Sequence, residues 1–479
     1  MFVWTNLAFG SGDEVFAFHV VDDGSGRGVP MVSLTTTNGI RVTTDSAGWA
    51  VFDEPGLMER PVHFEVDGSG YRHAKDGFGY EGLVVTPRAG DVKELRLLRV
   101  SIAERMYRVT GQGIYRDSVM MGLEPPLPRP LLNGNVMGQD SVQVQPFQGR
   151  LFWCWGDTLR TRHPLGNFRT TSAWGDLPDS GGLDPSVGVH LDYLLNDDGD
   201  VASMFAAKGE GVVWLDGLIS VPGADDEEML VAHYGRWKSL AQRLEHGIAV
   251  YRPEKSQFVP AVLLGDEFDW QHPRGQAVRG DGDDYWYFAA PFCTTRVKAD
   301  LNSILNPASY EALAWSEEKG DYEWQTTKPP VTQEDEERAI KAGEVKLSEA
   351  LLQVKDAGSN KAVMLHSGSV RWNAFRSRWV SIAVQKEGDG SMLGHVWYAE
   401  AKNIEGPWGK AIRVAEHPNY SFYNPTHHAF WDQEGGRLIY FEGTYSTMFS
   451  GNDSPLPRYD YNQLMYRLDL EDSRLDVVR

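Results

Sequence analysis

Two aspartates, Asp140 and Asp157, stand near the ends of the segment GQDSVQVQPFQGRLFWCWGDT, which runs from Gly138 to Thr158. If Gln148 and Gly149 form a two-residue turn, Phe147 pairs with Arg150, and counting outward along both strands sets Asp140 directly opposite Asp157. Theirs is then a non-hydrogen-bonded pair, with Cα atoms about 4.5 Å apart and both side chains on one face. Like charges opposed on a sheet repel. Two close carboxyls also titrate apart, one being pushed toward the protonated acid. Hydrolysis of a glycosidic bond uses that arrangement, one group protonating the leaving oxygen while the other attacks or activates water. The plain structural alternative is a pair of turn and capping aspartates, solvated or paired with Arg160 or Arg162. Alternation through WCW puts Trp153 and Trp155 on the face of Asp157, and desolvation there would make Asp157 the acid. Exchanging the two roles contradicts nothing in the sequence.

The elements that must position this pair read as strands throughout. Residues from about 14 to 98 alternate in short runs, EVFAFHVVD, PMVSLTT, AGWAVFDE, VHFEV and KELRLLRV, broken by Gly and Asp, as in a small β-sandwich over residues 1–100. Residues 101–135 read as a connection that ends in the proline-rich EPPLPRPLLNG. From 136 to 479 an inner strand, a turn, an aromatic second strand and two further strands recur about five times. The first unit is DSVQVQPF, LFWCWGD, VGVHLDYLL and ASMFAA; the third is GQAVRG, YWYFAAPF, YEALAWSE and YEWQTT. The fifth lacks an outer strand, which residues near 105 to 115 would supply to close a ring. A charged, alanine-containing stretch near 331 to 356 reads as an inserted helix. The fold class expected is therefore all-β, an N-terminal β-sandwich followed by a five-bladed β-propeller.

Composition narrows the partners. Sixty-seven acidic against 46 basic residues leave a net charge of -21, which argues against nucleic acid or an anionic membrane surface. Strongly anionic substrates would need a local Arg and Lys cluster that the total hides. Sixteen Trp, 19 Tyr and 20 Phe supply flat rings on which sugars stack. Cys154 and Cys293 are the only cysteines, both in apolar runs, so neither a disulfide framework nor a zinc site is indicated. There is no apolar run long enough to span a membrane. MFVWTNLAFG lacks a basic start and a long apolar core, so the expectation is cytoplasmic if Met1 is the native start, and secreted or periplasmic if a leader was removed.

The stretch GVPMVSLTTTNGIRVTTDSAGWAVFDEPG resembles the prealbumin-like and carboxypeptidase-regulatory-like sandwiches, in which T-D-x-x-G precedes a strand; Thr44, Asp45 and Gly48 match. The repeated units with an acidic first blade resemble the furanosidase propellers of glycoside hydrolase families 43 and 32. They are more similar still to a bacterial-type propeller family that includes endo-acting D-arabinan hydrolases, with its Q-D-S stretch and later G-D-T. Gln139, Asp140 and Ser141, with Gly156, Asp157 and Thr158, match. The resemblance implies that Asp140 and Asp157 are the catalytic carboxylates. A family 43 scheme implies instead three carboxylates, with Asp140 as base, Asp216 as the second, and a Glu from a later blade, Glu267 or Glu442. Neither Glu sits in a diagnostic motif.

Candidate substrate-binding residues are Gln139, His272, Arg274, Asn373, Asn424, His428 and Trp270, with Arg376, Trp174 and Trp214 as further candidates. His428 shares the parity of Glu442, so those two could share a site, and only one of His427 and His428 can face a channel. The reaction needs no cofactor; the sequence leaves room for a structural cation such as calcium, and metal ligands and oligomeric state are not readable. The function expected is hydrolysis of a polysaccharide or oligosaccharide. The rivals are a propeller polysaccharide lyase and a non-catalytic glycan-binding protein.

Overall fold

The computed structural model describes residues 14–163, 170–205, 209–223, 227–388 and 391–479. The protein is all-β: nearly every element is a strand, and the longest helix among the described residues is Gln333–Ala342. That helix falls within the charged, alanine-containing stretch near 331 to 356 but fills only part of it; Val354–Asp356, at the end of the stretch, is a strand parallel to Gly409–Glu416. Thr332 caps it by accepting from the Asp335 amide, while the Asp335 carboxylate accepts from the Thr332 amide, and Gly343 ends it at φ 77°.

Residues 16–99 form two four-stranded sheets around one apolar core. Phe16–Asp22 lies between Trp49–Phe52 and Val92–Arg99 in one sheet; Ser33–Thr36 lies between Arg41–Thr43 and Val62–Asp67 in the other. Phe18, Leu34, Phe64, Val66 and Leu95, on the inward alternation of their strands, fill the space between. The T-D-x-x-G turn works through its side chains: Asp45 Oδ1 accepts the amides of Ala47 and Trp49, and Gly48 takes φ 80°. Asp45 Oδ2 accepts the amide of Ser118 at 2.7 Å, which ties this unit to the segment that follows.

Five sheets then succeed one another along the chain, each starting with the strand that adjoins the first strand of the next. These first strands, counted from the edge that faces the neighbouring sheet, are Gln143–Phe147, Val212–Pro222, Gln276–Arg279, Leu365–Asn373 and Ser421–His427; the fourth sheet also holds Val354–Asp356 at its far edge, earlier in the chain and parallel to Gly409–Glu416. Side chains link them directly: Gln145 Nε2 donates to Leu218 O at 2.8 Å, and Gln276 Nε2 donates to Val142 O at 2.8 Å. Asn424 Nδ2 donates to Ser141 Oγ at 2.7 Å, which brings the fifth sheet back against the first. The fifth sheet takes its outer strand, Glu104–Arg108, from the connecting segment, antiparallel to Asn462–Asp469.

The strand sets expected for the first and third units differ from those observed. In the first sheet the third strand is Thr171–Gly175, not VGVHLDYLL, which contributes only Asp192–Tyr193 as the outer strand. ASMFAA forms one isolated bridge where it is described, Phe205 to Phe258. The short run TSAWG carries little apolar alternation of its own and is recruited by pairing with Leu151 to Trp155. The third sheet has five strands because Pro291, which has no amide hydrogen, ends the ladder of Tyr285–Ala289 and lets Cys293–Lys298 fold back as a separate strand.

Candidate functional site

The hairpin folds with Phe147 opposite Arg150 and Gln143 opposite Cys154, and the same register resumes beyond a break with Gln139 opposite Thr158. Asp140 and Asp157 therefore oppose each other inside the break. They are bridged, contrary to the expected non-hydrogen-bonded pair: the Asp140 amide donates to Asp157 O at 3.2 Å and the Gly156 amide donates to Asp140 O at 2.9 Å. The reason is Ser141, whose left-handed φ of 54° turns the chain out of regular alternation. Gly156 leaves room for the Asp140 carboxyl, since a Cβ at this position would lie 2.4 Å from Asp140 Oδ1 and displace it. Arg160 and Arg162 do not serve as the counter-charges; they pair with Asp200, and Arg162 also with Asp198.

The two carboxyls have different surroundings. Burial, followed by the charge of Asp157, pushes Asp140 up to about 7, while the hydroxyls of Tyr461 and Tyr423 pull the other way. Tyr423 donates to Asp140 Oδ2 at 3.1 Å, and Asp140 Oδ1 is enclosed with no partner among the described residues. Asp157 is also raised by burial, against which its Oδ1 accepts the indole N–H of Trp214 at 2.9 Å. Trp153 and Trp155 do not supply this desolvation by alternation, because their strand ends at Trp155. Their rings stack on each other at 5.8 Å and pack with Tyr193, His428 and Trp431.

Both aspartates line a cavity of about 550 Å³ built from all the first strands. A third carboxyl, Asp216, joins them on its wall, with the Gly275 amide donating to its Oδ1 at 3.3 Å; burial raises it, opposed by that amide and then by Arg274. Five non-glycine residues with left-handed backbone, Ser141, Leu393, Asn424, Phe449 and Tyr461, line this cavity. Such conformations cost about 1–3 kcal/mol each and persist where the surroundings enforce them, as at binding and catalytic sites.

The other expected residues divide. Asn424 and Arg274 line the same cavity, and Trp214 contacts its acid pair. His272 and Trp270 line a neighbouring cavity. Gln139 is fully buried, donating to Thr171 Oγ1 at 2.7 Å and accepting from Tyr193. Asn373 donates to Gly436 O at 2.8 Å, and Arg376 pairs with Glu400, on the strand His395–Ala401, at 2.6 Å; neither lines the acid cavity. Trp174 packs on Phe147 and Phe152. His428 and Glu442 do meet, at 2.7 Å, but inside the core between the first and fifth sheets, where burial drives the glutamic acid well above its usual range and the imidazole well below. His427 is buried too, paired with Asp432. Glu267 is exposed on a short 3₁₀ turn, so no glutamate stands among the residues lining the acid cavity. Among the described residues no group of three or more His, Cys, Asp or Glu is arranged to hold a metal ion. No local pattern in the sequence marks Tyr423, Tyr461 or Phe449, because Tyr423 and Tyr461 reach Asp140 from the far end of the chain and Phe449 packs on Tyr423.

No family model matches the chain, and no curated protein matches it. Solved structures with a similar strand arrangement include an exo-β-1,3-galactanase from Phanerochaete chrysosporium at 10% identity and a TM-score of 0.40, covering 77% of this chain and 64% of that one. A GH43_1 enzyme from Xanthomonas citri has 11% identity and a TM-score of 0.37 over 71% of this chain and 88% of its own. An exo-1,5-α-L-arabinanase from a bovine ruminal metagenomic library has 8% identity and a TM-score of 0.35 over 70% and 94%. This chain thus spans about two thirds of the galactanase. These neighbours are glycoside hydrolases, and at such distances they carry no argument about the chemistry of this chain.

Proposed function

We propose that the protein is a glycoside hydrolase acting on a polysaccharide or oligosaccharide at the cavity over Asp140 and Asp157. The observation that carries this reading is the opposed pair itself, two carboxyls with separated environments on the floor of a cavity large enough for sugar units. Asp140, held up to about 7, is the acid that protonates the departing glycosidic oxygen. Asp157, whose ionised form Trp214 supports, is the carboxylate that attacks the anomeric carbon or takes the proton of the attacking water. This reverses the assignment expected from Trp153 and Trp155. Asp216 and Arg274 contribute polar contacts from the wall, and Trp214 and Phe449 offer rings to sugar faces. In this reading the five sheets are the blades of a propeller covering residues 136–479, the connecting strand closes it, and the first two sheets are a sandwich docked on it.

The test is product release from a broad panel of neutral and acidic polysaccharides, with wild type, Asp140→Asn and Asp157→Asn run side by side. The expected result is saturated oligosaccharide products from wild type and a loss of about 100-fold or more in each variant. Undiminished release by both variants sinks the assignment, and unsaturated products absorbing in the ultraviolet would replace hydrolysis with elimination.

A further inference from the structure

Beside the acid cavity lies a second one, of about 460 Å³, and Asp216, Arg274, Ala290 and His366 line both. An aromatic path joins them. Trp214, the donor to Asp157, packs at 5.8 Å against Trp237, which stands in the wall of the second cavity. Two guanidinium groups meet the ring of Trp237, Arg243 at 5.9 Å and Arg274 at 5.7 Å.

Like charges gathered on one ring repel unless each has its counter-charge. Arg243 has one, Asp269 at 2.6 Å, and Lys386, also in the wall, has Glu334 at 3.0 Å. Arg274 is exposed and makes no ion pair with any described residue; the buried groups that feel its charge are Asp216 and His272. In a chain of net charge -21, a guanidinium in a concave wall with no ion-pair partner among the described residues is a local exception to the prevailing field. A planar fork of N–H donors beside an indole face suits a sugar that carries an oxyanion: the fork takes two oxygens while the ring takes the sugar face.

We infer that the second cavity binds an oxyanion substituent of the glycan, a carboxylate or a sulfate ester, with Arg274 as its bidentate partner and Trp237 as the platform. This rests on the glycan-hydrolase reading of the adjoining cavity and extends it to a substrate class.

The test follows the indole N–H resonance of Trp237 in ¹⁵N-labelled protein, assigned with Trp237→Phe. Sodium sulfate, sodium glucuronate and glucose are titrated at constant ionic strength. The expected result is a saturable shift with at least one anion, at dissociation constants of about 1–10 mM, and none with glucose. Arg274→Ala should weaken that response about tenfold or more, and Arg274→Lys should weaken it less because a point charge remains without the fork. A response to glucuronate alone assigns a uronate, and one to sulfate alone a sulfate ester. No saturable response to either anion, an equal response to glucose, or an unchanged response in Arg274→Ala overturns the inference. The titration needs no turnover and is repeated in Asp140→Asn. An anion response without hydrolysis by wild type therefore counts against the hydrolase and leaves the site standing, whereas hydrolysis without an anion response counts against the site alone.

Discussion

Replacing Asp140 with Asn should stabilise the protein, and only on the alkaline side. Asp140 titrates at about 7 in the folded chain, against about 3.9 for a free aspartate. Between those values the folded state binds a proton that the unfolded state has lost. Wild-type stability from this group is therefore fully present below the unfolded value and is lost as pH rises through the folded one. Three tenfold steps in the ionisation constant correspond to about 4 kcal/mol. The carboxyl borders an open cavity whose water screens it, so about half, or about 2 kcal/mol, is the expected net effect. Asn does not titrate and still offers an oxygen to the Tyr423 hydroxyl. Calorimetry of wild type and Asp140→Asn at about pH 4.5 and about pH 8 should show the variant's melting temperature rising relative to wild type between the two conditions, by about 3 °C for a unit of this length. Other buried groups, including Asp45 at about 6, titrate in both proteins and cancel in the comparison. A difference that is the same at both pH values would refute the claim that burial and the charge of Asp157 strain Asp140, and with it the assignment of Asp140 as acid.

Two further outcomes follow from the geometry. Trp214→Phe keeps a ring but removes the N–H that favours ionised Asp157, so the acidic limb of the pH profile of kcat/KM should move to higher pH; a limb that stays in place would show that Trp214 does not act through Asp157. Glu442→Gln should leave kcat/KM within about threefold, since the buried acid is held neutral against His428 and Gln replaces it closely in shape, whereas loss of a true general acid costs about 100-fold or more.

Much of the acid pair was legible in the sequence because a two-residue turn and the period of a strand are local rules. Gln148 and Gly149 set the register from Phe147 and Arg150, and that register carries through to Asp140 and Asp157. Strand parity likewise brings His428 to Glu442, but parity fixes which way a side chain points and nothing about depth, so a pair in the core has the same signature as part of a site. The strand Thr171–Gly175 escaped notice because its pairing partner, not its own alternation, makes it a strand.

By itself, then, the sequence determined the all-β class, the inserted helix and the opposition of two aspartates, all of which depend on neighbours within a few residues or across one turn. Only the tertiary structure decided which aspartate is raised further, that Tyr423, Tyr461 and Trp214 attend the pair, that Asp216 and Arg274 share its wall, and that Gln139, Asn373 and Glu442 do not. Those outcomes depend on which residues come together when the fifth sheet returns against the first. Desolvation and charge act through space between residues hundreds of positions apart, and no periodicity along the chain records them.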